Sequence, residues 1–147
     1  EEDYTDEELK MGREGRKIMH LPELRVNCTC VRVPVMRSHS ESITAEFDKP
    51  ISPDEARQIL AQAPGVKVVD NPAELRYPMP LETSDQDLIY VGRIRRDTSA
   101  PDEVNAITLW CCGDQIRKGA ALNAVQVAEA LFGVGRAAVP TGASLTV

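Results

Sequence analysis

No apolar run in this sequence approaches the roughly 20 residues that a membrane helix needs, and its first twenty residues are acidic and helix-patterned where a secretory signal would be basic and then apolar. The expectation is a cytoplasmic protein. Basic residues are outnumbered, 17 against 23 acidic ones for a formal charge of −6. That excludes the broad positive face of a nucleic-acid binder and leaves room for a local basic pocket, such as one built from Arg93, Arg95 and Arg96. The four cysteines, at 28, 30, 111 and 112, nowhere show the C-x-x-C spacing of a zinc or redox motif. They fall in apolar, strand-like sequence, where a thiol behaves as a small buried hydrophobe, and no metal is expected. Phosphate-cradling loops are missing too: R-K-G-A-A at 117–121 lacks the G-x-x-x-x-G-K frame, and no G-x-G-x-x-G occurs.

What is present suffices for one soluble domain with a core, since 42% of the 147 residues are apolar. Residues 5–19 open with Thr5 and Glu8 at capping-box spacing, which predicts a helix with Asp6 and Glu7 at its positive end. Gly12 and Gly15 each weaken it by about 1 kcal/mol, so it must rely on packing. Glu7, Lys10 and Glu14 share one of its faces. Surface ion pairing accounts for that spacing, and a charged wall toward a ligand is the sharper alternative. Alternation predicts a strand over 24–33, with Leu24, Val26, Cys28 and Cys30 on one face, and another over 41–47, with Ile43, Ala45 and Phe47 inward. Pro34 ends the first, so Met36–Ser40 is expected as a loop or sheet-edge passage that sets His39 at the surface of a cleft.

Ser52-Pro53-Asp54-Glu55 predicts a second capped helix running to about Ala63, where Pro64-Gly65 stops it. Val66–Asp70 reads as a short strand, completing a β-β-α-β order: an α/β layer whose sheet is covered on one side by helices. The proline-rich stretch 71–87 is expected as an ordered loop or an intersubunit arm. Leu88–Arg96 and Ala106–Cys112 read as strands around a turn at 98–103. The segment 114–131 becomes helical by about Ala120, with Ala121, Val125, Ala128 and Leu131 on a face suited to close packing. The remainder, 133–147, is rich in Gly, Ala and Ser and is expected as a flexible tail. Within this frame Arg32 and His39, one of two histidines, lie seven positions apart at a strand exit. Ordinary structural reasons place such residues there, and so would a catalytic role.

Three blocks, C-V-R-V-P-V-x-x-x-H-S-E-S at 30–42, V-G-R-I-R-R-D at 91–97 and G-D-Q-I-R-K-G-A-A-L-N-A-V-Q-V-A-E at 113–129, resemble in order the C-terminal half of aspartate-semialdehyde dehydrogenase. E-E-L-K-M-x-x-E-x-x-K-I at 7–18 fits the same family, and the resemblance runs from about residue 3 to 132. It implies a glyceraldehyde-3-phosphate-dehydrogenase-like C-terminal domain, α+β, with a mixed sheet and helices on one face. Residues 1–132 would then form the substrate-binding and dimerisation domain of a homodimer. Its last helix, 119–132, would pack on an N-terminal NADP domain.

The implied reaction reversibly joins L-aspartate 4-semialdehyde and phosphate, with NADP as oxidant, into L-4-aspartyl phosphate through a cysteine thioester. It lies on the common route to lysine (by way of diaminopimelate), methionine, threonine and isoleucine. Carried over residue by residue, His39 matches the acid/base and Arg32 the clamp on the substrate α-carboxylate. Glu7 matches the partner of the α-ammonium, Lys10 the phosphate-site lysine, and Gln115 a contact to NADP. The Asn27-Cys28-Thr29 triplet looks locally like the family's nucleophile. Register excludes it, because the nucleophile belongs well upstream of C-V-R-V-P, and this chain alone is therefore expected to be inactive. Gly12, Gly15 and Arg16 depart from the family's more helix-friendly or smaller residues. The alternatives are a non-catalytic dimerisation or regulatory module of the same fold, or a relative of N-acetylglutamyl-phosphate reductase.

Overall fold

Thr5 starts the first helix. In the computed structural model, which describes residues 3–134, its hydroxyl accepts from the Glu8 N–H while the Glu8 carboxylate accepts from the Thr5 N–H at 2.8 Å. This closed capping box begins α1, Asp6–Ile18. Chain contacts divide the protein into two compact units, Glu1–Pro34 and Val35–Val147, and α1 is the only regular element described in the first.

No strand forms over 24–33, contrary to the alternating pattern. The segment is instead laced to α1. Arg16 Nε donates to the Leu24 carbonyl at 2.9 Å, and the Cys30 N–H donates to Glu8 Oε1 at 2.8 Å. The segment packs against the helix face that carries the two glycines: a Cβ on Gly15 would stand 3.7 Å from Leu24 Cδ2 and one on Gly12 would stand 4.0 Å from Val26 Cβ, both ordinary contact distances. The unit has no second strand among its described residues. The backbone therefore has no ladder to join, and Val31 and Val33 remain exposed. Cys30 is exposed as well and Cys28 only half-buried, which corrects the expectation of buried thiols at this pair.

The second unit is built on a four-stranded mixed sheet. Its strands are β1 His39–Phe47, β2 Val66–Val68, β3 Ile89–Arg96 and β4 Asn105–Gly113, in the order β1-β4-β3-β2. β4 pairs antiparallel with β1 and β3, and β2 runs parallel to β3. β1 starts two residues before its expected onset, so His39 is the first residue of a strand and not part of a loop. The helix α2, Pro53–Gln62, opens with the Ser52/Glu55 capping box and packs on the sheet through Ala56, meeting Val91, Ile94 and Ile107 in the core.

Between β2 and β3 the proline-rich stretch is ordered, with a 3-10 turn at Pro72–Glu74 and the short helix α3, Pro80–Thr83. Gly92 is required where β3 crosses beneath it: a Cβ there would lie 2.2 Å from the Val69 carbonyl oxygen and 2.6 Å from Pro78 Cδ. After β4 a π-helical turn, Arg117–Ala121, leads into α4, Leu122–Phe132. Val125 and Leu131 of its expected packing face are exposed. No described helix is long and apolar enough to cross a membrane. The expected flexible tail lies, beyond Val134, outside the described residues.

Candidate functional site

Three of the five residues singled out in the sequence belong to the first unit. On α1, Lys10 Nζ meets Glu7 Oε1 at 3.2 Å with both side chains more than half exposed. The Glu7 carboxylate raises the Lys10 pKa, so the ammonium is kept charged. Arg32 is exposed and makes no ion pair among the described residues. Its segment is anchored two residues earlier, at Cys30, by the carboxylate of Glu8, the neighbour of Glu7. Glu8 went unnoticed as a functional support, and it serves both the helix cap and this anchor. Its hydrogen bonds from Thr5, then that from Cys30, hold its carboxyl below the usual range. The capping box announced Glu8 in sequence. Its second partner, 22 residues away, had no local signal.

His39 and Gln115 belong to the second unit, and the sheet brings them together. The β1–β4 register sets His39 opposite Gly113, so the chain leaving β4 passes beside the chain entering β1. There Gln115 Oε1 accepts the Ser38 N–H at 2.6 Å. The His39 imidazole is 65% exposed, with Nδ1 3.4 Å from Glu41 Oε1.

Behind these two residues stands a buried group that sequence reasoning missed. Asp114 is fully buried. Its Oδ2 accepts the Asp85 N–H at 2.8 Å and faces Arg37 Nη2 at 2.6 Å; its Oδ1 accepts the N–H groups of Ile116 at 2.9 Å and Arg117 at 3.1 Å. Desolvation is the largest single influence on this carboxyl and pushes its pKa up. The donors from Asp85, Arg117 and Ile116, joined by the Arg37 guanidinium, outweigh it and hold the pKa below the ordinary value. Arg37 also pairs with Asp85. Bonds at +2 and +3 from an aspartate that precedes a helical segment are a capping signature, and this was the available clue to Asp114.

The described residues contain no His/Cys/Asp/Glu cluster able to hold a metal ion. The thiols with perturbed pKa values are raised, the opposite of an activated nucleophile. Burial first, then Glu41, takes Cys111 to about 11, burial raises Cys112, and desolvation raises Cys30. The three arginines of the expected basic pocket take separate partners: Arg93 lies over the Tyr77 ring, Arg95 bonds the Arg93 carbonyl and Arg96 meets Asp102. Gln115 is exposed, and its amide nitrogen has no partner among the described residues.

Residues 1–118 match the family model described as semialdehyde dehydrogenase, dimerisation domain. The chain is 54% identical over 129 residues to an aspartate-semialdehyde dehydrogenase of Prochlorococcus marinus, covering 88% of this chain and 37% of that protein. Against one of Aquifex aeolicus it is 51% identical over 135 residues, covering 92% and 39%. Among solved structures, aspartate semialdehyde dehydrogenase II of Vibrio cholerae complexed with ASA matches with a TM-score of 0.78 at 38% identity, over 90% of this chain and 38% of that one. The Francisella tularensis aspartate semialdehyde dehydrogenase matches with a TM-score of 0.70 at 32% identity, over 87% and 35%. The chain thus spans little more than a third of the length of these relatives.

Proposed function

This chain belongs to the semialdehyde dehydrogenase dimerisation-domain family, and we propose that it is the substrate-binding and dimerising part of an NADP-dependent aspartate-semialdehyde dehydrogenase. The fold is the glyceraldehyde-3-phosphate-dehydrogenase-like mixed sheet with flanking helices. The observation that carries the reading is His39: an exposed imidazole at the start of a strand, beside a carboxylate, with its preceding residues held by Gln115 and Asp114.

In this reading His39 moves the proton of a nucleophilic thiol supplied by the rest of the enzyme. Arg32 pairs through its planar fork with the substrate α-carboxylate, a geometry lysine lacks. Glu7 receives the α-ammonium, and Lys10 remains protonated for the phosphate. NADP, when bound, supplies the hydride acceptor, and Gln115 donates its free amide N–H toward it. The exposed Val125 and Leu131 of α4 pack on the coenzyme domain, and the functional enzyme is a homodimer with a cytoplasmic, amino-acid-biosynthetic role. Residues 1–132 act as one substrate domain, and the chain on its own is inactive.

The test uses the full-length enzyme. Arg32→Lys should raise KM for the semialdehyde, and His39→Asn should lower kcat by about 10²–10⁴-fold. The 147-residue chain alone should give no phosphate-dependent NADP reduction. Full activity in His39→Asn would sink the acid/base assignment, and turnover by the isolated chain would sink the division of labour.

A further inference from the structure

Arg37 and Ser38, the two residues immediately before His39, are each held by a separate side chain of the segment that follows β4. Arg37 Nη2 meets the buried Asp114 carboxylate at 2.6 Å, and the Ser38 N–H donates to Gln115 Oε1 at 2.6 Å. Ser38 has φ +86°, outside the range that a residue with a Cβ adopts without strain, and such a conformation persists only where its surroundings over-determine it. They do so here. Its hydroxyl lies 2.9 Å from Thr83 Oγ1 and 3.4 Å from Ser84 Oγ, and Ser84 Oγ also donates to the Arg37 carbonyl at 3.4 Å. Thr83 is itself fully buried at the end of α3. Asp114 is in turn fixed by three backbone N–H groups, so it cannot follow Arg37 if the loop moves. The strained turn therefore delivers His39 into β1 opposite Gly113 from a frame anchored at three places.

We propose that Asp114 and Gln115 are positioning residues that clamp Arg37 and Ser38 and so set the His39 imidazole for proton transfer. The proposal rests on the acid/base reading of His39. It also gives Gln115 a second role, because its amide oxygen is committed to Ser38 while its amide nitrogen remains available. One side chain thereby bridges the coenzyme contact and the acid/base segment. Misplacement of a reacting group by about 1 Å can cost on the order of 10²-fold in rate. Release of the clamp therefore acts on turnover before it acts on substrate affinity.

The test is steady-state kinetics of the full-length enzyme at saturating NADP, with Asp114→Asn, Gln115→Met, His39→Asn and the double variant Asp114→Asn/His39→Asn. Asp114→Asn keeps the size of the side chain and removes the charge facing Arg37. It should lower kcat about 10–100-fold while KM for the semialdehyde stays within about twofold. Because the clamp acts through His39, the double variant should be no slower than His39→Asn alone. A purely structural role would instead multiply the two losses. Gln115→Met changes an exposed residue and so keeps the protein folded even should Asp114→Asn fail to fold; it should lower kcat and accelerate hydrogen exchange at the Ser38 amide. Wild-type kcat in Gln115→Met or Asp114→Asn, or multiplicative losses in the double variant, overturns the clamp while leaving the acid/base reading intact. Wild-type kcat in His39→Asn overturns that reading, and the catalytic meaning of the clamp with it.

Discussion

Asp70→Ala removes the acceptor around which the irregular part of β3 is arranged. Between Gly92 and Arg95 the register of β3 against β4 shifts, and Arg93 takes φ +55°. The Asp70 carboxylate, 2% exposed, replaces a strand on the other side: Oδ1 accepts the Arg93 N–H at 2.8 Å and Oδ2 accepts the Ile94 N–H at 3.2 Å. Arg57 Nε holds Oδ2 at 2.9 Å, and its Nη2 satisfies the Ile94 carbonyl at 2.6 Å. Ile94 is 1% exposed, so water cannot replace the lost acceptor, and its orphaned N–H costs about 1–3 kcal/mol. The Arg93 bond to a charged acceptor adds about 1–2 kcal/mol. Arg57, a third exposed, rehydrates, and its ion pair adds little. The total is about 3 kcal/mol, and with a urea m-value of about 1–3 kcal/mol/M the midpoint should fall by about 1–3 M. Urea unfolding of the 147-residue chain, followed through its single tryptophan, Trp110 in β4, reads this directly. Hydrogen exchange at Ile94 should accelerate in parallel. A stability loss below about 0.5 kcal/mol would show that the carboxylate does not hold the bulge.

Gly92→Ala should be among the costliest single-methyl additions in the chain, about 3 kcal/mol or more, since the new Cβ meets a backbone carbonyl and a proline ring. Gly113→Ala, whose Cβ would meet the mobile end of Ile89 at 2.2 Å, should cost about 1 kcal/mol; equal losses in thermal melts would contradict this ranking. Asp114, with its folded pKa depressed, contributes stability that is fully present above the unfolded carboxyl value of about 4 and is lost as pH falls through the folded value. Urea midpoints measured from pH 6 downward should therefore show an acid loss that Asp114→Asn flattens. Cys111, raised to about 11, contributes stability below the unfolded thiol value of about 8.5 that is lost as pH rises toward the folded one. Alkylation at pH 8, located by peptide mass, should be slower at the partly buried Cys111 than at the exposed Cys30, and equally rapid native-state labelling of the two would refute the shielding of Cys111.

Features whose cause lies within one turn of chain were legible in the sequence. The two capping boxes, Thr5 with Glu8 and Ser52 with Glu55, are completed three residues from where they start, and both helices begin where they indicate. The Glu7–Lys10 pair is likewise an i,i+3 contact. Alternation identified β1, and strand-like apolar sequence identified β3 and β4, because each finds a neighbour in the sheet. The same alternation failed over 24–33: it reports where side chains fall on a pleat and carries no information about whether an edge is there to pair with. What holds that segment is Glu8 and Arg16, at separations of 22 and 8 residues.

The second unit's site shows the same limit more sharply. Gln115 and His39 could each be named from their blocks, but the bond that relates them, Ser38 to Gln115, spans 77 residues. It exists only because the antiparallel register aligns His39 with Gly113. A slip of one residue would turn every side chain of β1 to the opposite face and carry Ser38 away from Gln115. Arg37 and Asp114 were invisible for a related reason. An exposed-looking arginine and an aspartate after a strand are ordinary surface residues until the fold buries the carboxylate completely. Once the carboxylate is out of water, a charge with no partner is too costly to keep, so the partner that remains beside it, one residue ahead of the strained Ser38, has to be held in place. That burial makes the segment before His39 rigid.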